Sequence, residues 1–136
     1  MRYEDARRIM QKATGHWMHD PTEGKVIENN TTLRYNLSRD CFSVHLHGNE
    51  ILKIFPDRFE PSDAGYKTVT TKARLNDFMP MGHVFQRNND WYMTIGDTTY
   101  DWDDVIFVST LDENYGEVML YSTHPMWPSQ VQEIEV

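Results

Sequence analysis

One cysteine, Cys41, stands in 136 residues. A lone cysteine closes no internal disulfide, which excludes a disulfide-stapled secreted scaffold and fits a reducing cytoplasm. Long apolar runs are missing as well, and nothing approaches the roughly 18 apolar residues of a membrane helix. The first eight residues carry charges where the apolar stretch of a secretory signal would lie, so no leader is expected. Basic side chains stop early: all 13 Lys and Arg fall at or before Arg87, alongside 11 acids. Residues 88–136 hold the other 10 acids and no base. With no dense basic stripe, duplex nucleic-acid binding is disfavoured. Catalytic signatures are scarce too. There is no His-Glu-x-x-His, no cysteine pair, no Gly-x-Ser-x-Gly and no glycine-rich phosphate loop. Asp97, Asp101, Asp103 and Asp104 lack the glycine and closing glutamate of a calcium loop.

What is present is a lean but aromatic chain. Hydrophobic residues make up 39%, aromatics 12%, and there are 4 Trp. The length suits a single domain over 1–136. Four indoles need apolar surface to pack on, so the chain folds around a modest core that self-association would complete. Met126 and Trp127, in an extended tail over residues 122–136, are placed to dock on a neighbouring subunit.

Periodicity supplies the elements. Tyr3, Ala6, Met10, Ala13 and Trp17 recur at steps of three and four, predicting a helix over residues 3–13 that Gly15 ends. Strands are predicted at 25–28, 31–37 and 42–47. Leu33, Tyr35 and Leu37 share one face of the second, and Phe42, Val44 and Leu46 point inward in the third, with Ser43, His45 and His47 outward. Gly48-Asn49 turns into a return strand at 50–55 whose apolar residues fall on both faces. Residues 56–65 have loop composition, 66–69 a short strand pattern. Thr70 or Thr71 can cap a second helix reaching about Met79, stopped by Pro80-Met81-Gly82. Strands at 83–87 and 91–95 flank Asn88-Asn89-Asp90, and strands at 105–109 and 117–121 flank a turn at 112–116. The class is α+β: an N-terminal helix and a mainly antiparallel sheet with one short inserted helix.

Three groups of residues carry candidate chemistry. At the start of the second helix, Thr70 and Thr71 leave backbone N–H groups free at a positive dipole end, Lys72 and Arg74 add cations, and Asn76 can read a base or ribose edge. An ordinary capped first turn explains the same residues. His45 and His47 alternate on one strand near Asn49, but no third ligand has metal-site spacing, so no metal and no cofactor are expected. Phe85, Arg87 and Trp91 could stack a base, against the plainer reading of a hairpin with Trp91 in the core. Arg34, on the face opposite Leu33, joins them as a candidate ligand contact.

The order of certain segments is familiar. Leu46-His47-Gly48-Asn49, then Ala64-Gly65-Tyr66-Lys67-Thr68-Val69-Thr70-Thr71-Lys72-Ala73-Arg74-Leu75-Asn76, then Gln86-Arg87 with Trp91-Tyr92, resemble small proteins encoded by phages and prophages. The resemblance covers about residues 29–95. Among such proteins the chain looks like the phage anti-Thoeris sponges. That likeness implies a small α+β fold, a homo-oligomer with pockets between subunits, and sequestration of a cyclic nucleotide without cleavage, in the cytoplasm of an infected host cell.

The leading expectation is therefore a non-enzymatic binder of a nucleotide-type small molecule, with no membrane and no duplex nucleic-acid partner. The rival is an acidic protein-interaction inhibitor or nucleic-acid mimic acting through residues 97–117. A virion accessory role and a histidine-based metalloenzyme rank below both.

Overall fold

The computed structural model describes residues 1–111 and 117–120. The turn predicted at 112–116 and the tail at 122–136 lie outside the described residues. The first helix, α1 (Tyr3–Met10), is followed by β1 (Lys25–Glu28), β2 (Thr31–Asn36), β3 (Cys41–Leu46), β4 (Asn49–Ile54) and β5 (Arg58–Pro61). Then come α2 (Val69–Phe78), β6 (His83–Arg87), β7 (Asp90–Ile95), β8 (Thr98–Asp101), a 3-10 turn at Trp102–Asp104, β9 (Val105–Ser109) and β10 (Val118–Leu120). The class is α+β, with one short helix inserted between antiparallel strands.

Two sheets form. The larger runs β1-β2-β3-β4-β5-β9-β10, and the smaller β6-β7-β8. The first five strands are a meander. Its tight turns use residues that tolerate a left-handed backbone, such as Asn30 at φ 55° and His47-Gly48 at 53° and 81°. Leu33, Phe42, Val44, Leu52, Ile54 and Phe59 are fully buried along one face. Burying each such side chain is worth about 1.5–3 kcal/mol. Against that face pack α1, through Ala6 and Met10, and α2, through Leu75 and Met79. Val84, Trp91 and Met93 of the small sheet join the same apolar cluster.

The two-faced apolar pattern of β4 has a geometric cause. Val44 pairs with Leu52 but His45 pairs with Glu50, so Ile51 is the extra residue of a bulge. A bulge breaks the alternation, and Ile51 and Leu52 are both buried.

Five expectations need correcting. The predicted loop at 56–65 contains β5, because Phe59 is buried opposite Ile54 and Val108. Residues 66–68 form no strand, and Val69 already belongs to α2, capped by Thr68. Leu37 lies beyond β2 and is 81% exposed. Ser43 faces away from the core but is buried, 3% exposed. The first helix also ends at Met10, since Lys12 donates to the His16 carbonyl and Gln11 bridges Trp17 in a small hairpin.

Asp40, at φ 50° in the β2–β3 turn, ties α1 to the sheet. It accepts hydrogen bonds from the Tyr3 hydroxyl at 2.6 Å and the Tyr35 hydroxyl at 2.7 Å. These bonds hold its carboxyl below the usual range. Burial, then the bond to Asp40, pushes the Tyr35 phenol up to about 12. A depressed carboxyl adds stability above its unfolded pKa of about 3.9, and that stability is lost as pH falls through the folded value. Asp40→Ala is therefore expected to lower Tm at neutral pH and to flatten the decline of Tm in acid. Thermal melts between about pH 2 and about pH 7 check this; parallel curves for the two proteins would contradict it.

Candidate functional site

A cleft of about 370 Å³ opens between the β3–β4 turn, the loop after β5 and the first turn of α2. Its floor is apolar: Leu46, Ile51 and Ala64. Ile51 reaches it because of the bulge. Its rim is polar, with His47 and Asn49 from the turn, Asp63 and Tyr66 from the loop, and Thr68, Thr70 and Thr71 from the helix start.

Local hydrogen bonds build that rim. Thr68 Oγ1 accepts from the Thr71 N–H at 3.0 Å and shares a bond with the Thr71 hydroxyl at 2.9 Å, fixing the helix start. Asp63 is fully engaged: Oδ2 accepts from Trp102 Nε1 at 2.9 Å and Oδ1 from the Gly65 N–H at 2.7 Å. It acts as a brace that holds the loop against the 3-10 turn. The side chains of His47, Asn49, Tyr66 and Thr70, by contrast, make no hydrogen bond among the described residues. Uncommitted donors and acceptors above an apolar floor can orient a small ligand that carries a flat ring and polar edges.

The sequence-derived candidates do not converge here. Of the helix-start group, Thr70 and Thr71 line the cleft, and Thr71 is buried and engaged. Lys72 turns toward the small sheet, donating to Gln86 Oε1 at 3.2 Å with its ammonium 5.9 Å from the Trp91 ring. Arg74 reaches β2, where Nε donates to the Thr31 hydroxyl at 3.1 Å, and it pairs with Asp77. Asn76 spends both ends of its amide on the backbone of Val84. Trp91 is buried, edge-on to Trp102, while Phe85 stacks on Tyr92 on the outer face of the small sheet with Arg87 5.4 Å from the Phe85 ring. Arg34 and His45 lie on the outer face of the large sheet. His45 and His47 part company: His47 lines the cleft, whereas His45 Nε2 stands 3.0 Å from Ser43 Oγ.

Composition and spacing gave no reason to single out Asn49 or Tyr66 for a cleft. The available signal was the resemblance, since Leu46-His47-Gly48-Asn49 and the segment from Ala64 to Thr71 are two of its quoted stretches, and they line one cleft.

The comparison with protein families is decisive at this point. Residues 7–115 match the profile described as Kyanoviridae Gp96 protein. The chain belongs to the Kyanoviridae Gp96 family. It is thus a phage protein, and the match takes in the second half of α1 as well as β8 and β9, a wider span than the sequence motifs alone suggested. Comparison with curated proteins and with solved structures returns no match. Among the described residues no helix is long and apolar enough to cross a membrane.

Proposed function

We propose that this Gp96-family protein is a non-enzymatic binding protein that sequesters a nucleotide-type small molecule of host immune signalling, holding its base in the cleft. The observation that supports it is the set of uncommitted polar side chains, His47, Asn49, Tyr66 and Thr70, over the Leu46–Ile51 floor. Tyr66 offers a ring to stack on, and Asn49 offers the paired donor and acceptor that read a base edge. Thr70, in the first turn of α2, lines the same cleft, and the positive dipole end of that helix suits a phosphate. Tyr66, on the cleft wall, and Val69, nearby in the chain at the start of α2, are 57% and 77% exposed, apolar surface that a second copy would cover in a homo-oligomer.

Native mass spectrometry against a panel of nucleosides, mononucleotides and cyclic nucleotides tests the reading and counts subunits. A bound nucleotide and a mass above the 16.1 kDa monomer are expected. Tyr66→Ala removes a stack worth about 1–3 kcal/mol and should weaken binding about tenfold or more. Lys72→Ala, whose ammonium sits on Gln86, should leave affinity unchanged. No nucleotide adduct at any concentration would end the reading.

One observation favours a second reading. Asp90, Asp101, Asp103 and Asp104 border a single polar cleft beside Lys67, Trp91 and Tyr92. That gathering suits an acidic surface docking on a basic protein partner. Asn substitutions at Asp101, Asp103 and Asp104 that abolish activity in infected cells, with Tyr66→Ala harmless, would favour it over the cleft.

A further inference from the structure

Strand register sets Arg34, Ser43, Lys53 and Glu60 side by side on the outer face of the large sheet. His45 and Glu50 pair in the next row. The acids of these rows are already claimed. Glu50 takes Lys53 at 3.1 Å and lies 3.9 Å from His45 Nε2, and Glu60 takes Arg58 at 3.1 Å. Among the described residues Arg34 has no acidic partner. Its Nε is shut away from solvent and is, among the described residues, the one buried side-chain polar atom without a hydrogen bond. The residue as a whole is only part-buried, so part of it meets solvent. A charged guanidinium with a buried, unmet Nε is costly to hold, and an anion on its remaining N–H groups offsets part of that cost.

Ser43 lies directly opposite Arg34 in register, with its hydroxyl on His45 Nε2, while His45 Nδ1 faces the Gly48 carbonyl at 3.5 Å. We propose that Arg34, Ser43 and His45 form an oxyanion site for a phosphate or carboxylate group, separate from the cleft. The planar fork of the guanidinium matches two oxygens of such a group. The serine hydroxyl donates a third bond, and Lys53 adds positive field from the next strand. The charged and titratable groups facing His45 are Arg34 and Lys53 on one side of the balance and Glu50 on the other. Burial, and after it the Arg34 charge, holds the imidazole below its ordinary range. An anion seated on Arg34 cancels part of that repulsion, so the His45 pKa rises when the site fills.

Proton NMR titration of the His45 ring in the full chain reads this directly. Sodium phosphate and sodium acetate are compared with sodium chloride at equal ionic strength. The expected result is a higher His45 pKa in one or both oxyanions, and which salt does it distinguishes phosphate from carboxylate. Arg34→Lys keeps the charge but loses the fork, and should weaken the half-saturating concentration about tenfold or more. Asn49→Ala should leave it unchanged. Identical titrations in all three salts overturn the proposal, as does an undiminished response in folded Arg34→Lys. Should Arg34→Lys not fold, Ser43→Ala replaces it and must weaken the response.

Discussion

Asn76→Ala is expected to lower the unfolding free energy by about 2–4 kcal/mol, among the largest effects of any surface-directed polar substitution in this chain. Asn76 Nδ2 donates to the Val84 carbonyl at 2.9 Å, and the Val84 N–H donates to Oδ1 at 2.7 Å. One side chain on α2 thus supplies both bonds that a neighbouring strand would give to the edge of β6. Val84 is buried, so removing the amide strands a backbone donor and acceptor where water does not reach. Each lost bond is worth about 0.5–1.5 kcal/mol, and each orphaned group adds its own desolvation cost. Asn76→Asp is the sharper control. It keeps the acceptor for the Val84 N–H but sets a carboxylate against the Val84 carbonyl, and it should also destabilise. Urea unfolding at constant m-value measures both. A loss below about 0.5 kcal/mol for Asn76→Ala would mean that the small sheet does not depend on this clamp.

That clamp shows what the sequence could and could not disclose. Local pattern was enough for α1, for β2 and β3, and for the hairpin of β6 and β7, because alternation and turn chemistry act within a few residues. It failed at β5. Pro56, Asp57, Pro61 and Ser62 dominate the composition there, yet Phe59 needs only one buried position between β4 and β9 to make a strand. It failed at β8 for the same reason, since Thr98 to Asp101 are polar and gain their pairing from β7. The side-chain candidates disperse for a different reason. Lys72, Arg74 and Asn76 fall at every second position over five residues, and their residue types invite a phosphate or a base. Lys72 and Asn76, one helical turn apart, both reach β6, Arg74 reaches β2, and each is spent on a partner within the chain. Cleft-lining Asn49 and Tyr66 carried no pattern of their own, because what distinguishes them is a side chain without a hydrogen bond among the described residues.

Gly24→Ala is the second large effect, about 2–4 kcal/mol of destabilisation. Gly24 lies at φ +79°, where a residue with a Cβ costs about 1–2 kcal/mol. Space is the greater difficulty. An added Cβ would fall on the Leu33 carbonyl oxygen and 2.6 Å from Arg34 Cγ. The carbonyl belongs to the β2 backbone and cannot swing aside, so the loop must lift. That loop is anchored to β2 through the Tyr35 N–H, which donates to the Pro21 carbonyl at 3.1 Å. Gly48 is the matched control. Its φ is +81° and nothing lies within 4 Å of its added Cβ, so Gly48→Ala meets the backbone cost alone. The difference in unfolding free energy between the two alanine variants isolates the clash. Because the displaced loop also presses on Arg34, folded Gly24→Ala should lose the oxyanion response of His45, whereas Gly48→Ala should keep it. Equal destabilisation by the two substitutions would show that the 20–24 loop yields without cost, and that Arg34 is not held by it.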